Sequence, residues 1–137
     1  FPVTAEVPLR WGDHDGYNHV NNTRLFVIFE EARIALFQRL GGTFLDGPPA
    51  GVGPILAETG CKFKAPLTFP DTTIVGARIA DPVAPGDTEF TIEHSVWSTA
   101  QNVVAATGFG RVVCVNYATG KRTAIPEYVL GGLQDLV

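Results

Sequence analysis

The chain has little that would mark it for metal, membrane or nucleic acid. It has two cysteines, Cys61 and Cys114, and neither stands in a CxxC pair, which excludes a thiolate zinc site. Each sits in an apolar run, where a small buried core residue is the expectation. No apolar run approaches the length of a membrane span. No basic run is present, and 10 Lys+Arg against 14 Asp+Glu give a net charge of −4, which argues against a nucleic-acid partner. HExxH, GxSxG, GxGxxG and P-loop patterns are all missing. No basic segment opens the chain, and the expectation is a cytoplasmic protein. What is present is a 137-residue, 45% hydrophobic chain, long enough for one domain with a real core.

Its order predicts one strand, one long helix, then four more strands. The first strand candidate runs from Val3 to Arg10. The segment Asp13 to Asn22 (DHDGYNHVNN) is polar and turn-forming. The helix is expected over Asn22 to Leu40, with Asn21 or Asn22 as N-cap and Gly41-Gly42 as the stop. Leu25, Phe29, Ala32, Leu36 and Leu40 fall within about 80° of one another on that helix. Phe26 and Phe37 widen the stripe beyond what a surface helix needs, so something should wrap it. Arg33 falls inside the stripe and Glu30 at its edge, spaced to pair.

A Gly/Pro-rich loop from Thr43 to Gly53 leads to strand candidates Ile55–Phe63, Thr72–Ile79, Glu89–Ser98 and Asn102–Tyr117. Gly108 and Gly110 in the last of these predict a bulge or a close backbone approach. Residues Pro126 to Leu136 make a short final helix or a tail. Successive strands with short turns favour an antiparallel sheet, hence an α+β fold. One helix covers only one face of that sheet, and a partner subunit is the usual cover for the other.

The densest polar segment is Arg10-Trp11-Gly12-Asp13-His14-Asp15-Gly16-Tyr17-Asn18-His19-Val20-Asn21-Asn22. It feeds a helix N-terminus, whose free N–H donors and positive end can hold a developing oxyanion. A carboxylate beside it can serve as general base or nucleophile. Plain turn and capping duty for Asp13 and Asp15 is the competing reading, but turns do not need so much titratable material. His14 and His19 with an aspartate would make a two-His-one-carboxylate metal set. Their spacing is not a ligand pattern, His94 lies far along the chain, and no metal is expected.

The run RWGDHD, then HVNN, then a helix carrying Phe29-Glu30-Glu31-Ala32-Arg33, resembles the hotdog-fold acyl-CoA thioesterases of the 4-hydroxybenzoyl-CoA thioesterase type. Lys62-Phe63-Lys64, Pro66 and Pro70-Asp71 fit as well, so the resemblance covers nearly the whole chain, 1–137, as one domain. It implies one long central helix wrapped by a curled antiparallel sheet of about five strands. It implies hydrolysis of an acyl-CoA, with Asp15 as general base or nucleophile and the Asn22 backbone N–H polarising the thioester carbonyl. His19 orders the loop or meets the substrate. Asp13, Asn21, Glu30, Phe29 and Phe26 become substrate-binding candidates, and Phe37 and Phe44 further pocket candidates. No cofactor is implied, CoA being part of the substrate, and a homodimer or homotetramer is.

Relatives often carry Gly before the HVNN histidine, where this chain has Asn18. CoA phosphates would seek Lys62, Lys64, Arg78, Arg111, Lys121 or Arg122. A non-catalytic acyl-CoA or acyl-carrier binding module, and a hydratase or dehydratase using His19 with Asp15, are the alternatives on the same fold.

Overall fold

The structure is a computed structural model and describes residues 1–41 and 51–137. Strand β1 (Val3–Pro8) leads through a 3-10 turn (Trp11–Asp13) into helix α1 (Asn22–Arg39). Then come β2 (Val52–Phe63), β3 (Thr72–Ile79), β4 (Glu89–Ser98), β5 (Val103–Asn116), the two-residue β6 (Lys121–Arg122) and helix α2 (Glu127–Gln134). The strands pair antiparallel in the order β1-β3-β4-β5-β2, with β6 on β5. The expected five strands are therefore joined by a sixth too short to show as a pattern. The final segment is a helix, and β2 starts at Val52, three residues before the strand expected from Ile55. Phe44 and most of the Gly/Pro-rich loop lie outside the described residues. No helix among the described residues is long and apolar enough to cross a membrane.

Alternation explains which side of the sheet the helix covers. Along β4, Phe90, Ile92, His94, Val96 and Ser98 are buried and the residues between them are half-buried. The buried row faces α1, which buries Leu25, Ile28, Phe29, Ala32, Arg33, Leu36 and Phe37. Phe29, Ala32 and Leu36 have no exposed surface at all. Each fully buried side chain of Phe or Leu size contributes roughly 1.5–3 kcal/mol, so this helix–sheet seam is the main source of stability.

Gly108 is where the backbone comes close. A Cβ there would overlap the Phe29 ring and the Gly60 carbonyl. The ladder irregularities lie elsewhere: one between Leu56 and Glu58 on β2, the other opposite Val96 and Trp97, where Ala105 is the extra residue on β5.

Candidate active site

The polar loop folds on itself before the helix begins. Asp15 N–H donates to the His19 carbonyl at 2.9 Å, and His14 and Val20 form an isolated antiparallel bridge. Asn18 takes a positive φ of 62° at the turn. That conformation is the reason glycine suits the position, and Asn is among the few other residues that tolerate it. Val20 N–H donates to the Leu67 carbonyl at 2.7 Å, and the Phe69 N–H donates to His14 Nε2 at 2.8 Å. The loop is thereby tied to the segment between β2 and β3. The helix then starts with Asn21 as N-cap, its Oδ1 accepting from Thr23 N–H at 3.0 Å.

Asn22 is the first helical residue, so its N–H has no acceptor within the helix. It lines a cavity of about 240 Å³ with His19, Leu25, Phe63, Lys64 and Ala105. The bulge at Ala105 shapes this rim. Its carbonyl accepts from both Lys64 N–H at 2.8 Å and Ala65 N–H at 3.0 Å, which folds the end of β2 over the cavity. Sequence reading had no signal for that bulge. Lys62, Lys64 and Lys121 are exposed and, among the described residues, make no ion pair, whereas Arg78 is bound to Glu93 and both Arg111 and Arg122 to Glu89; of the three lysines Lys64 is the one that lines this cavity.

Asp15 stands at the loop tip beside the cavity without lining it. Its Oδ1 accepts from the Tyr17 N–H at 2.8 Å, and its Oδ2 lies 3.9 Å from His19 Nδ1. His19 thus touches both the cavity and Asp15, and the Tyr17 ring stacks on it with centroids 6.5 Å apart. Asp13 is placed differently. Its carboxylate is buried, accepts from the Arg10 N–H at 2.8 Å and meets the Arg24 guanidinium at 2.9 Å. Burial pushes that carboxyl up, but the Arg10 amide and the Arg24 and Arg10 charges outweigh it and hold it below the ordinary value. It borders a separate hollow with Arg10 and Arg24. Glu30 is exposed on the helix, 4.0 Å from Arg33. Phe26 is half-buried, its ring meeting Phe29 edge to face with centroids 6.1 Å apart.

One buried titratable group lies far from the polar loop in sequence. His94 is 2% exposed and stacks on Phe29 with centroids 5.0 Å apart. Its Nδ1–H donates to the Gly76 carbonyl at 3.0 Å, which leaves Nε2 buried with no hydrogen-bond partner. Burial pushes its pKa from 6.5 down to about 4, the Gly76 bond opposing and Arg33 adding to the effect.

A long helix fed at its N-terminus by an acidic loop and cradled by a curled antiparallel sheet is the architecture of the hotdog class. Comparison with known proteins agrees. The model of the thioesterase-like superfamily matches residues 9–133, and the chain belongs to that family. Among solved structures it is similar to the PA2801 protein of Pseudomonas aeruginosa, at 30% identity and a TM-score of 0.82, over 96% of this chain and 97% of that one. A thioesterase of Thermus thermophilus, solved with coenzyme A and Zn, matches at 29% identity and a TM-score of 0.81, over 99% and 94%. The gentisyl-coenzyme A thioesterase BH1999 matches at 25% and 0.80, over 95% and 98%. No curated protein matches the chain.

Proposed function

We propose that the protein hydrolyses an acyl-CoA thioester to a carboxylic acid and CoA. The observation that carries this reading is that Asn22, whose N–H has no acceptor within the helix, stands at the head of α1 and lines a cavity walled largely by apolar residues. A thioester carbonyl placed there gains a donor where its negative charge develops. Asp15, one short loop away, either takes a proton from the attacking water or attacks the carbonyl itself to form a mixed anhydride that water then opens. Thiolate leaves readily, so no strong acid is required. His19 orders Asp15 against the cavity, and Asn21 fixes the helix head. Lys64, which lines the cavity, is the cation assigned in this reading to a CoA phosphate. The CoA bound in the Thermus relative supports this choice of substrate.

The same reading includes a second copy of the chain. β2 is an edge strand, and it exposes Ile55, Leu56 and Phe63, the last of which belongs to the cavity wall. Such an edge is normally covered, and a homodimer, alone or paired into a tetramer, would cover it. Its two cysteines are free thiols, which suits the cytoplasm.

The test is Asp15→Asn. Thiol release from acyl-CoAs should fall at least about 100-fold while fold and acyl-CoA affinity are retained. A variant near the wild-type rate removes Asp15 from the chemistry. Binding without thiol release in the wild type would instead make the protein a non-catalytic acyl-CoA module.

A further inference from the structure

Asp15 rides at the tip of a small hairpin. Its two limbs, 13–15 and 19–21, are joined by the Asp15 N–H on the His19 carbonyl and the Asn21 N–H on the Asp13 carbonyl, both at 2.9 Å. Each limb has a tie to the connection between β2 and β3. From the second limb, the Val20 N–H reaches the Leu67 carbonyl at 2.7 Å, and both residues line the cavity. From the first limb the tie is a side chain: His14 Nε2 accepts the Phe69 N–H at 2.8 Å, and the two rings meet edge to face. The connection is itself a fixed base. The Ala105 carbonyl holds its Lys64 and Ala65 N–H groups, and the Gln101 amide donates to the Pro66 carbonyl at 2.8 Å. The Asp71 carboxylate accepts from the Ser98 hydroxyl and the Ala100 N–H. The direction of the His14 bond is fixed, because a backbone amide can only donate. His14 therefore carries its one ring proton on Nδ1 and is neutral while the tie is made.

We propose that His14 is a positioning residue for the hydrolysis: its neutral imidazole locks the limb that carries Asp15 to the connection that walls the cavity, and its protonation releases that limb. This rests on the acyl-CoA reading and adds to it a residue and a pH dependence. A hairpin held by the Val20 tie alone can pivot about it. Asp15, next in sequence to His14, then moves relative to the Asn22 N–H, and small misplacements of a reacting group cost rate. On protonation, Nε2–H would point at the Phe69 N–H, donor against donor, and the tie opens. The ring is half-buried, so a proton can reach it from solvent. The charged and titratable groups on the elements packed here are engaged elsewhere or exposed. Asp13 is held by Arg10 and by Arg24 of α1, Asp15 accepts from the Tyr17 N–H with His19 at 3.9 Å, and Asp71 is held by the turn after β4. Lys64 is exposed. The Val20 tie is backbone to backbone, so of the two ties only that of His14 responds to a proton.

The experiment compares wild type, His14→Leu and His14→Gln. Thiol release is measured from acetyl-, octanoyl- and benzoyl-CoA, and kinetics are taken on whichever wild type turns over fastest. Leu removes the acceptor, whereas Gln keeps an acceptor oxygen at the reach of Nε2 and does not titrate. His14→Leu should lower kcat about 3- to 10-fold, the worth of one ordinary hydrogen bond, and move KM by less than about twofold. His14→Gln should keep kcat within about twofold of wild type at pH 8. At pH 5.5 it should outpace wild type by about threefold or more, and the ratio of the two cancels the titrations of Asp15 and His19, which both proteins share. His14→Gln carries the pH test should His14→Leu not fold. Amide hydrogen exchange, read by NMR without substrate, should quicken at Val20 and Phe69 in His14→Leu and not in His14→Gln. An unchanged kcat in His14→Leu, a Gln variant as slow as Leu, or a Gln-to-wild-type ratio that is the same at both pH values overturns the positioning role, while thiol release keeps the hydrolase reading. No thiol release from wild type, with the Val20 and Phe69 amides loosened in His14→Leu, removes the hydrolase reading and leaves the clamp standing.

Discussion

His94 makes the acid side of the stability profile predictable. Its imidazole is neutral in the folded protein because burial disfavours the cation, and Arg33 disfavours it further. In the unfolded chain the same ring titrates near 6.5. Between pH 6.5 and about 4 the unfolded chain therefore binds the extra proton, and stability must fall as the pH falls. The stabilisation is fully present above 6.5 and is lost down to about 4. With those two values, moving from pH 7 to pH 5 costs about 2 kcal/mol from this residue alone. Between pH 7 and pH 5 the carboxylates contribute little, because their ordinary range lies below pH 5. The assay is urea unfolding at pH 7 and pH 5, at one protein concentration so that assembly does not confound the comparison. His94→Gln, which cannot titrate, should lose stability at pH 7 by breaking the ring stack on Phe29, yet lose about 2 kcal/mol less than wild type on going to pH 5. Equal pH dependence in the two proteins would refute the argument. So would an NMR titration placing the His94 ring near 6.5 in the folded state.

Other outcomes follow from the same geometry. Lys64→Ala should raise KM for acyl-CoA several-fold and leave kcat nearly unchanged, since a rim cation that meets a phosphate binds ground state and transition state alike; steady-state kinetics at low and high salt checks it. Asn21→Ala removes the acceptor of the Thr23 N–H and should cost about 1 kcal/mol in chemical denaturation. It should also lower kcat, because the fraying turn is the one that presents the Asn22 N–H. Asp15→Asn, the decisive variant for the chemistry, should keep the wild-type unfolding profile.

The parts of this molecule that are local in sequence were readable from it. The helix was legible because Leu25, Phe29, Ala32 and Leu36 recur at three- or four-residue spacing, and because Asn21 before it and Gly41 after it are cap residues. The acidic loop was legible because its chemistry is packed into consecutive positions, and the unusual Asn18 could be tied to a turn needing a positive φ. Even there the sequence did not separate the two aspartates. Asp13 and Asp15 are two residues apart, yet the first is spent on Arg10 and Arg24 while the second faces His19. What separates them is Arg24, which reaches back from the helix once the loop has closed.

Features made by two distant segments had no local trace. Alternation in β4 sets His94 on the same buried row as Ile92 and Val96, but nothing in that row names Phe29 as the surface it meets. Gly108 gave half of that contact, since a glycine inside a strand asks what comes close to it. The answer is the ring that fills its missing side chain. The Ala105 bulge left no mark, because alanine suits a regular strand as well as a bulged one. Its consequence is visible only where its carbonyl receives the Lys64 and Ala65 N–H groups from the residues that follow β2. The chemistry-bearing loop is thus a property of adjacent residues. The rim of the cavity beside it depends on the sheet, whose bulge at Ala105 meets the head of a helix that lies far earlier in the chain.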